Sequence, residues 1–160
     1  MGIDLEEKED LDVEEQQHIG GEEPSPQEGK TEGQSKIDPA EANIILDAIF
    51  TRGVYEEEAS LLKGHKCVFA TRSVKLAKEI LARLEQDNPT RMSRYNQLYG
   101  AYCLAASLKS FDNKILPESF EDRIKITDLW AGPLVDILIG ELIKFDDKVA
   151  MAYTVEQVKN

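Results

Sequence analysis

The sequence predicts a mainly α-helical domain carrying one β-hairpin, preceded by a disordered acidic tail. Apolar residues beyond position 38 recur at helical spacing in all but one stretch, and that stretch, residues 54 to 72, alternates around a glycine-containing turn. The charge is divided unevenly. Of a net −12, residues 1 to 38 carry 13 Asp and Glu against three Lys, which is −10, leaving −2 for residues 39 to 160. A chain of 160 residues suits a single core rather than several domains. Its acidic balance repels phosphate backbones, which argues against nucleic acid as a direct partner. No stretch approaches the roughly 18 to 20 consecutive apolar residues of a membrane span, and the first residues lack the basic and apolar regions of a signal peptide. A cytoplasmic location with no membrane partner is therefore expected.

The tail comes first. Residues 1 to 38 contain no aromatic residue, and Gly20, Gly21, Pro24, Pro26, Gly29 and Gly33 interrupt any periodicity, so apolar burial cannot offset the entropy of ordering them. A self-repelling, solvating segment accounts for the acidity, with docking to a basic surface as the alternative. The domain then opens on Asp38-Pro39, an N-cap followed by proline at the first helical position. Ala42, Ile45, Leu46 and Ile49 continue at helical spacing, and Gly53 offers a stop, so a helix is expected over about 39 to 51. Between residues 54 and 72, Cys67 and Phe69 alternate with Lys66 across from a Lys63-Gly64 turn, giving the hairpin. Two strands alone are marginal, so the ribbon must lean on a helix or pair with another chain, which leaves homo-oligomerisation open.

The remainder reads as helical. Ser73 caps a segment with the stripe Leu76, Ile80, Leu81 and Leu84, ended by Asp87-Asn88-Pro89. Residues 90 to 109 form the next helix, with Met92, Tyr95, Tyr99, Tyr102 and Ala106 along one stripe and Leu98, Ala101, Ala105 and Leu108 along another. Apolar on two sides, it is expected to be central, with Tyr99 in the core. After an Asp112-Asn113 turn, Pro117-Glu118 opens a shorter helix to about Trp130, and Gly132-Pro133 interrupts it. Leu134, Ile137, Leu138, Glu141 and Leu142 continue, and Asp146 to about Val158 makes a final helix. No internal repeat supports a solenoid.

Residues capable of chemistry are scattered. A nucleophile needs an activating base and an orienting group, yet the two histidines are His18 in the tail and His65 beside the hairpin turn. Cys67 and Cys103 lie 36 positions apart without a metal-ligand spacing and are expected to stay reduced. Lys63-Gly64 lacks the glycines and the hydroxyl residue of a phosphate loop. Glu56, Glu57 and Glu58 alternate between strand faces and cannot converge on a cation, so they read as a solvated face. Asp146-Asp147 reads as a complement to the positive end of a helix dipole. Neither catalytic residues nor a cofactor nor a metal is expected, and the protein is not expected to be an enzyme. Two surfaces stand out instead. The row Met92, Tyr95, Tyr99 and Tyr102 reads as core packing, or else as an aromatic face for a peptide. Trp130 with Pro133, Leu134 and Ile137 surrounds a helix break, where a lone tryptophan is often only partly covered; these four are the expected protein-binding residues, with core packing of Trp130 as the alternative.

The order of a hairpin ending Lys63-Gly64-His65-Lys66-Cys67-Val68-Phe69-Ala70-Thr71-Arg72-Ser73, a helix, and a tyrosine-rich helix closing on Leu104-Ala105-Ala106-Ser107-Leu108 resembles small assembly chaperones of tailed bacteriophages. Phe120-Glu121-Asp122-Arg123, the segment 133 to 144, Phe145-Asp146-Asp147-Lys148-Val149 and Val158-Lys159-Asn160 are similar to the endings of tail or baseplate-hub assembly chaperones. The resemblance spans about residues 54 to 160 and excludes the tail. It implies a non-enzymatic protein that shields an aggregation-prone tape-measure or baseplate-hub component in the host cytoplasm. A small structural or adaptor component retained in the virion is the alternative. It carries no catalytic residues onto this chain.

Overall fold

The first helix begins one residue after Asp38, whose carboxylate accepts the Ala40 N–H at 3.2 Å, and ends at Gly53 in a left-handed conformation, φ 76°. This is α1 (Pro39–Arg52), close to its expected bounds, with Ala42, Ile45 and Leu46 buried as their spacing requires. The computed structural model describes residues 37 to 159, so the disordered tail expected over 1 to 38 lies outside it except for the last two residues. Those two belong to the domain. Ile37 is buried in the same apolar cluster as Ala42, a hydrophobic staple across the cap, which moves the boundary to before residue 37.

The hairpin forms as expected from β1 (Glu56–Ser60) and β2 (Lys66–Ala70), joined by a short 3-10 turn at Leu62–Gly64 in which Lys63 and Gly64 both take positive φ. Cys67 and Phe69 point inward, each 1% exposed. The hairpin is one half of a larger sheet. β3 (Leu108–Phe111) and β4 (Lys114–Ile115) add to it, giving four antiparallel strands in the order β1-β2-β3-β4. The expectation of one hairpin in an otherwise helical chain is thus corrected. Leu108 extends the apolar stripe of the preceding helix but stands opposite Phe69 in the sheet, and Phe111 stands opposite Cys67. The Asp112-Asn113 turn has positive φ at both residues, 47° and 63°, the backbone of a two-residue hairpin whose twist matches its strands. Asp112 also fixes the sheet, donating its N–H to the Lys66 carbonyl at 2.8 Å and accepting the Lys66 N–H at 3.1 Å.

Three helices hold one side of the domain. α2 (Val74–Asp87) is capped by Ser73, whose hydroxyl accepts the Leu76 N–H, and ends at Asn88 with φ 43°. Ile80 and Leu84 are buried, whereas Leu81 is 50% exposed and leaves the expected stripe. α3 (Met92–Ser107) stops two residues short of its expected end and is central only in its second half, where Tyr102 to Ser107 are all buried. Tyr99, expected in the core, is 45% exposed. α4 (Phe120–Thr127) is capped by Ser119 and places Phe120 and Ile124 in the core.

The last helix, α5 (Gly132–Lys159), runs unbroken for 28 residues, about 42 Å at 1.5 Å per residue. The separate final helix expected from Asp146 does not exist. Phe145, Val149 and Ala152 keep the apolar spacing going through it, and Asp146 sits mid-helix paired with Arg72 at 2.7 Å rather than at a dipole end. α5 serves as the spine of the fold: Leu138, Leu142 and Phe145 enter the main core with the sheet and α3, while Ala152 joins α1 in a second cluster. Each such leucine or phenylalanine contributes about 1.5 to 3 kcal/mol by leaving water.

Candidate protein-binding surface

Three chain turns meet around a row of rings. The β1–β2 turn carries His65, the end of β3 carries Phe111, and the α4–α5 junction carries Trp130. The His65 and Phe111 rings stack at 6.1 Å, and Phe111 meets Trp130 at 5.2 Å. His65 Nδ1 lies 2.6 Å from Asp112 Oδ2, tying the two sheet turns together. The Lys66 backbone N–H and His65 hold the Asp112 carboxyl below its ordinary range. Of the four residues expected here, Trp130 and Leu134 are half-buried and pack against the main core, whereas Pro133 and Ile137 are exposed.

Sequence reasoning missed the most exposed members. Leu62 in the β1–β2 turn is 72% exposed and Leu129 beside Trp130 is 86% exposed. Large apolar side chains at turn tips gain nothing from burial within the chain, so they differ from the half-buried residues that the rings anchor. The available signal was position beside a turn: Leu62 precedes Lys63-Gly64. Ile115, 86% exposed on a two-residue edge strand, stands opposite Ser110 and so lies on the sheet face away from Phe111.

The charged groups are engaged in holding the fold. Lys148 on α5 reaches Glu41 at 2.6 Å and Glu57 at 2.9 Å, clamping α1 and β1 to the spine. Burial pulls its ammonium down, but the two carboxylates outweigh burial and keep it above its ordinary value. Glu57 therefore leaves the solvated face expected for Glu56 to Glu58, while its two neighbours remain exposed. Arg72 donates to the buried Ser107 hydroxyl and to Asp146, both at 2.7 Å, joining the strand exit to α3 and α5. Cys67 and Cys103 are free and buried, and burial pushes the Cys67 thiol up to about 11, away from a reactive thiolate. Among the described residues no group of three or more His, Cys, Asp or Glu could hold a metal ion, and no helix is long and apolar enough to cross a membrane.

The clamp has a pH signature. Burial and the Glu57 carboxylate, to which Tyr55 donates at 2.7 Å, push the Tyr55 phenol up to about 12. Its folded value lies above the unfolded value of about 10, so the stability it adds is complete below about pH 10 and lost as pH rises to about 12. A spectroscopic phenolate titration should show a late step near 12, from which Tyr55→Phe removes one tyrosine equivalent. Completion of the titration by about pH 11 in the folded protein would contradict the clamp geometry.

Comparison with protein-family models, with curated proteins and with solved structures finds no match to this chain.

Proposed function

We propose that this chain is a non-enzymatic assembly chaperone of a bacteriophage tail, binding and shielding a tape-measure or baseplate-hub component in the host cytoplasm. The observation that supports the reading is the row His65, Phe111 and Trp130, with Leu62 in the turn that carries His65 and Leu129 next to Trp130, two aliphatic side chains 72% and 86% exposed. Apolar burial is non-directional, so such a surface covers client segments that water would otherwise drive together, with little demand on their sequence. The half-buried rings give it a rigid base, and the exposed aliphatic residues give it area.

The test is suppression of light scattering by an aggregating tape-measure or hub fragment. Leu129→Asp places a charge where the client docks while leaving the core untouched, because the side chain is already in water. It should weaken capture by about tenfold or more, near 1.4 kcal/mol, in a protein whose circular dichroism is unchanged. Trp130→Ala should do the same or worse, and high salt should change little. Undiminished capture by both folded variants would sink the assignment. Finding the chain as a stoichiometric constituent of purified particles would favour the retained structural component instead.

A further inference from the structure

The first two turns of α3 lie at the surface. Met92 to Gln97 are all exposed, with Met92 at 74%, and no side chain caps the helix at Arg91. Tyr95 and Tyr99 nevertheless stack on one another, 6.2 Å apart and 6° from parallel, while 37% and 45% exposed. An exposed, uncapped helix end made of Met, Arg and Tyr gains little from its own fold, and these are the residue types concentrated at protein interfaces.

The charge of the segment points to the partner's chemistry. Residues 88 to 111 contain Arg91, Arg94 and Lys109 but no Asp or Glu, within a chain of net charge −12. Lys109 is occupied by Glu56 at 3.9 Å, whereas among the described residues no carboxylate pairs with Arg91 or Arg94. Arg91 is the N-cap residue, in extended backbone, and Arg94 lies in the first turn of α3, so both guanidinium groups belong to the same exposed helix end. Carboxylates on a partner match two such groups, which bind them through paired hydrogen bonds. The stacked tyrosines beside them offer a flat, low-entropy surface to an apolar side chain. A nucleic acid fits less well, because two cations release few counterions against the overall negative charge.

We propose that the exposed half of α3, through Arg91, Arg94, Tyr95 and Tyr99, is a second protein-binding surface whose partner presents carboxylates beside apolar side chains. It shares no residue with the Trp130 surface, so loss at one with retention at the other separates the two readings. The experiment is a nuclear magnetic resonance titration of the isotope-labelled full chain. The probes are a helical peptide with glutamates one turn apart and flanking leucines, the same peptide with lysines in their place, and a thymidine oligonucleotide. The acidic peptide should move the amide signals of residues 91 to 99 in a saturable, salt-sensitive manner. Arg91→Glu with Arg94→Glu should weaken it by about tenfold or more, as should Tyr95→Ala with Tyr99→Ala. Equal response to the lysine peptide, shifts confined to other residues, or tighter binding of the oligonucleotide would overturn the proposal. Shifts of the same signals with protein concentration alone, abolished by the arginine variant, would instead identify a second copy as the occupant and equally overturn it. The arginine variant alters only exposed side chains that pair with no carboxylate among the described residues, so the test stands even where the tyrosine variant does not fold.

Discussion

Phe69→Ala should destabilise the domain by about 3 to 5 kcal/mol, the range for a truncated buried aromatic side chain. Phe69 is 1% exposed on β2, a strand paired on both sides, with Glu57 opposite in β1 and Leu108 opposite in β3. Its ring lies 6.0 Å from Phe145 of α5, and Phe145 in turn stacks on Tyr55 at 5.9 Å. The site cannot collapse easily, because strands on either side and the spine helix above hold its walls apart. In a domain of this size the loss corresponds to a fall in melting temperature on the order of 15 °C. Tyr99→Ala supplies the contrast: with 45% of the residue already in water, it should cost no more than about 1 kcal/mol. Denaturant titrations of the two variants decide the matter, and comparable losses would mean that Tyr99 is buried and not exposed.

Arg123→Ala should cost about as much, for a different reason. Arg123 is 6% exposed on α4 and has no carboxylate hydrogen-bonded or ion-paired to it among the described residues. Its guanidinium instead donates to three backbone carbonyls: Nε to Pro117, and Nη1 to Ala106 at 3.1 Å and to Ala105 at 3.5 Å. Ala105 and Ala106 lie in the last turn of α3, whose carbonyls lack intrahelical partners, so the arginine closes that helix end from a neighbouring helix. Burial pushes its guanidinium below its ordinary value, yet the group stays charged because that ordinary value is so high. Removing it strands buried acceptors at about 1 to 3 kcal/mol each, for a total near 3 to 5 kcal/mol. Arg123→Lys should recover only part of this, since one ammonium cannot span Pro117 and α3 together. A lysine variant as stable as the parent would show that charge, and not the planar fork, holds the helix end.

Arg123 shows where sequence reading stops. In the string Phe120-Glu121-Asp122-Arg123 nothing marks the arginine as buried, because its partners are carbonyls about 17 residues earlier in the chain, on a helix end. The candidate surface divides in the same way. Trp130, Pro133, Leu134 and Ile137 were singled out from a local feature, the helix break that surrounds them. Phe111 was not, because it meets His65 and Trp130 only when β3 pairs with β2 across some 40 intervening residues. The same non-local pairing converts Leu108 from the next residue of a helical stripe into a strand residue. Conversely, Asp146-Asp147 carried a plausible local signal for a helix start that the continuous burial of Phe145, Val149 and Ala152 overrides. What the sequence by itself determined is local: caps at Asp38 and Ser73, stops at Gly53 and Asn88, and the inward alternation of Cys67 and Phe69. Each rests on backbone groups within about four residues, whose hydrogen bonding depends on no distant contact. The four-stranded sheet, the unbroken spine, the exposure of Tyr99 and the burial of Arg123 were decided by tertiary structure. In each, the free energy comes from surfaces far apart in sequence, and such burial outweighs the few tenths of a kcal/mol by which local preferences differ.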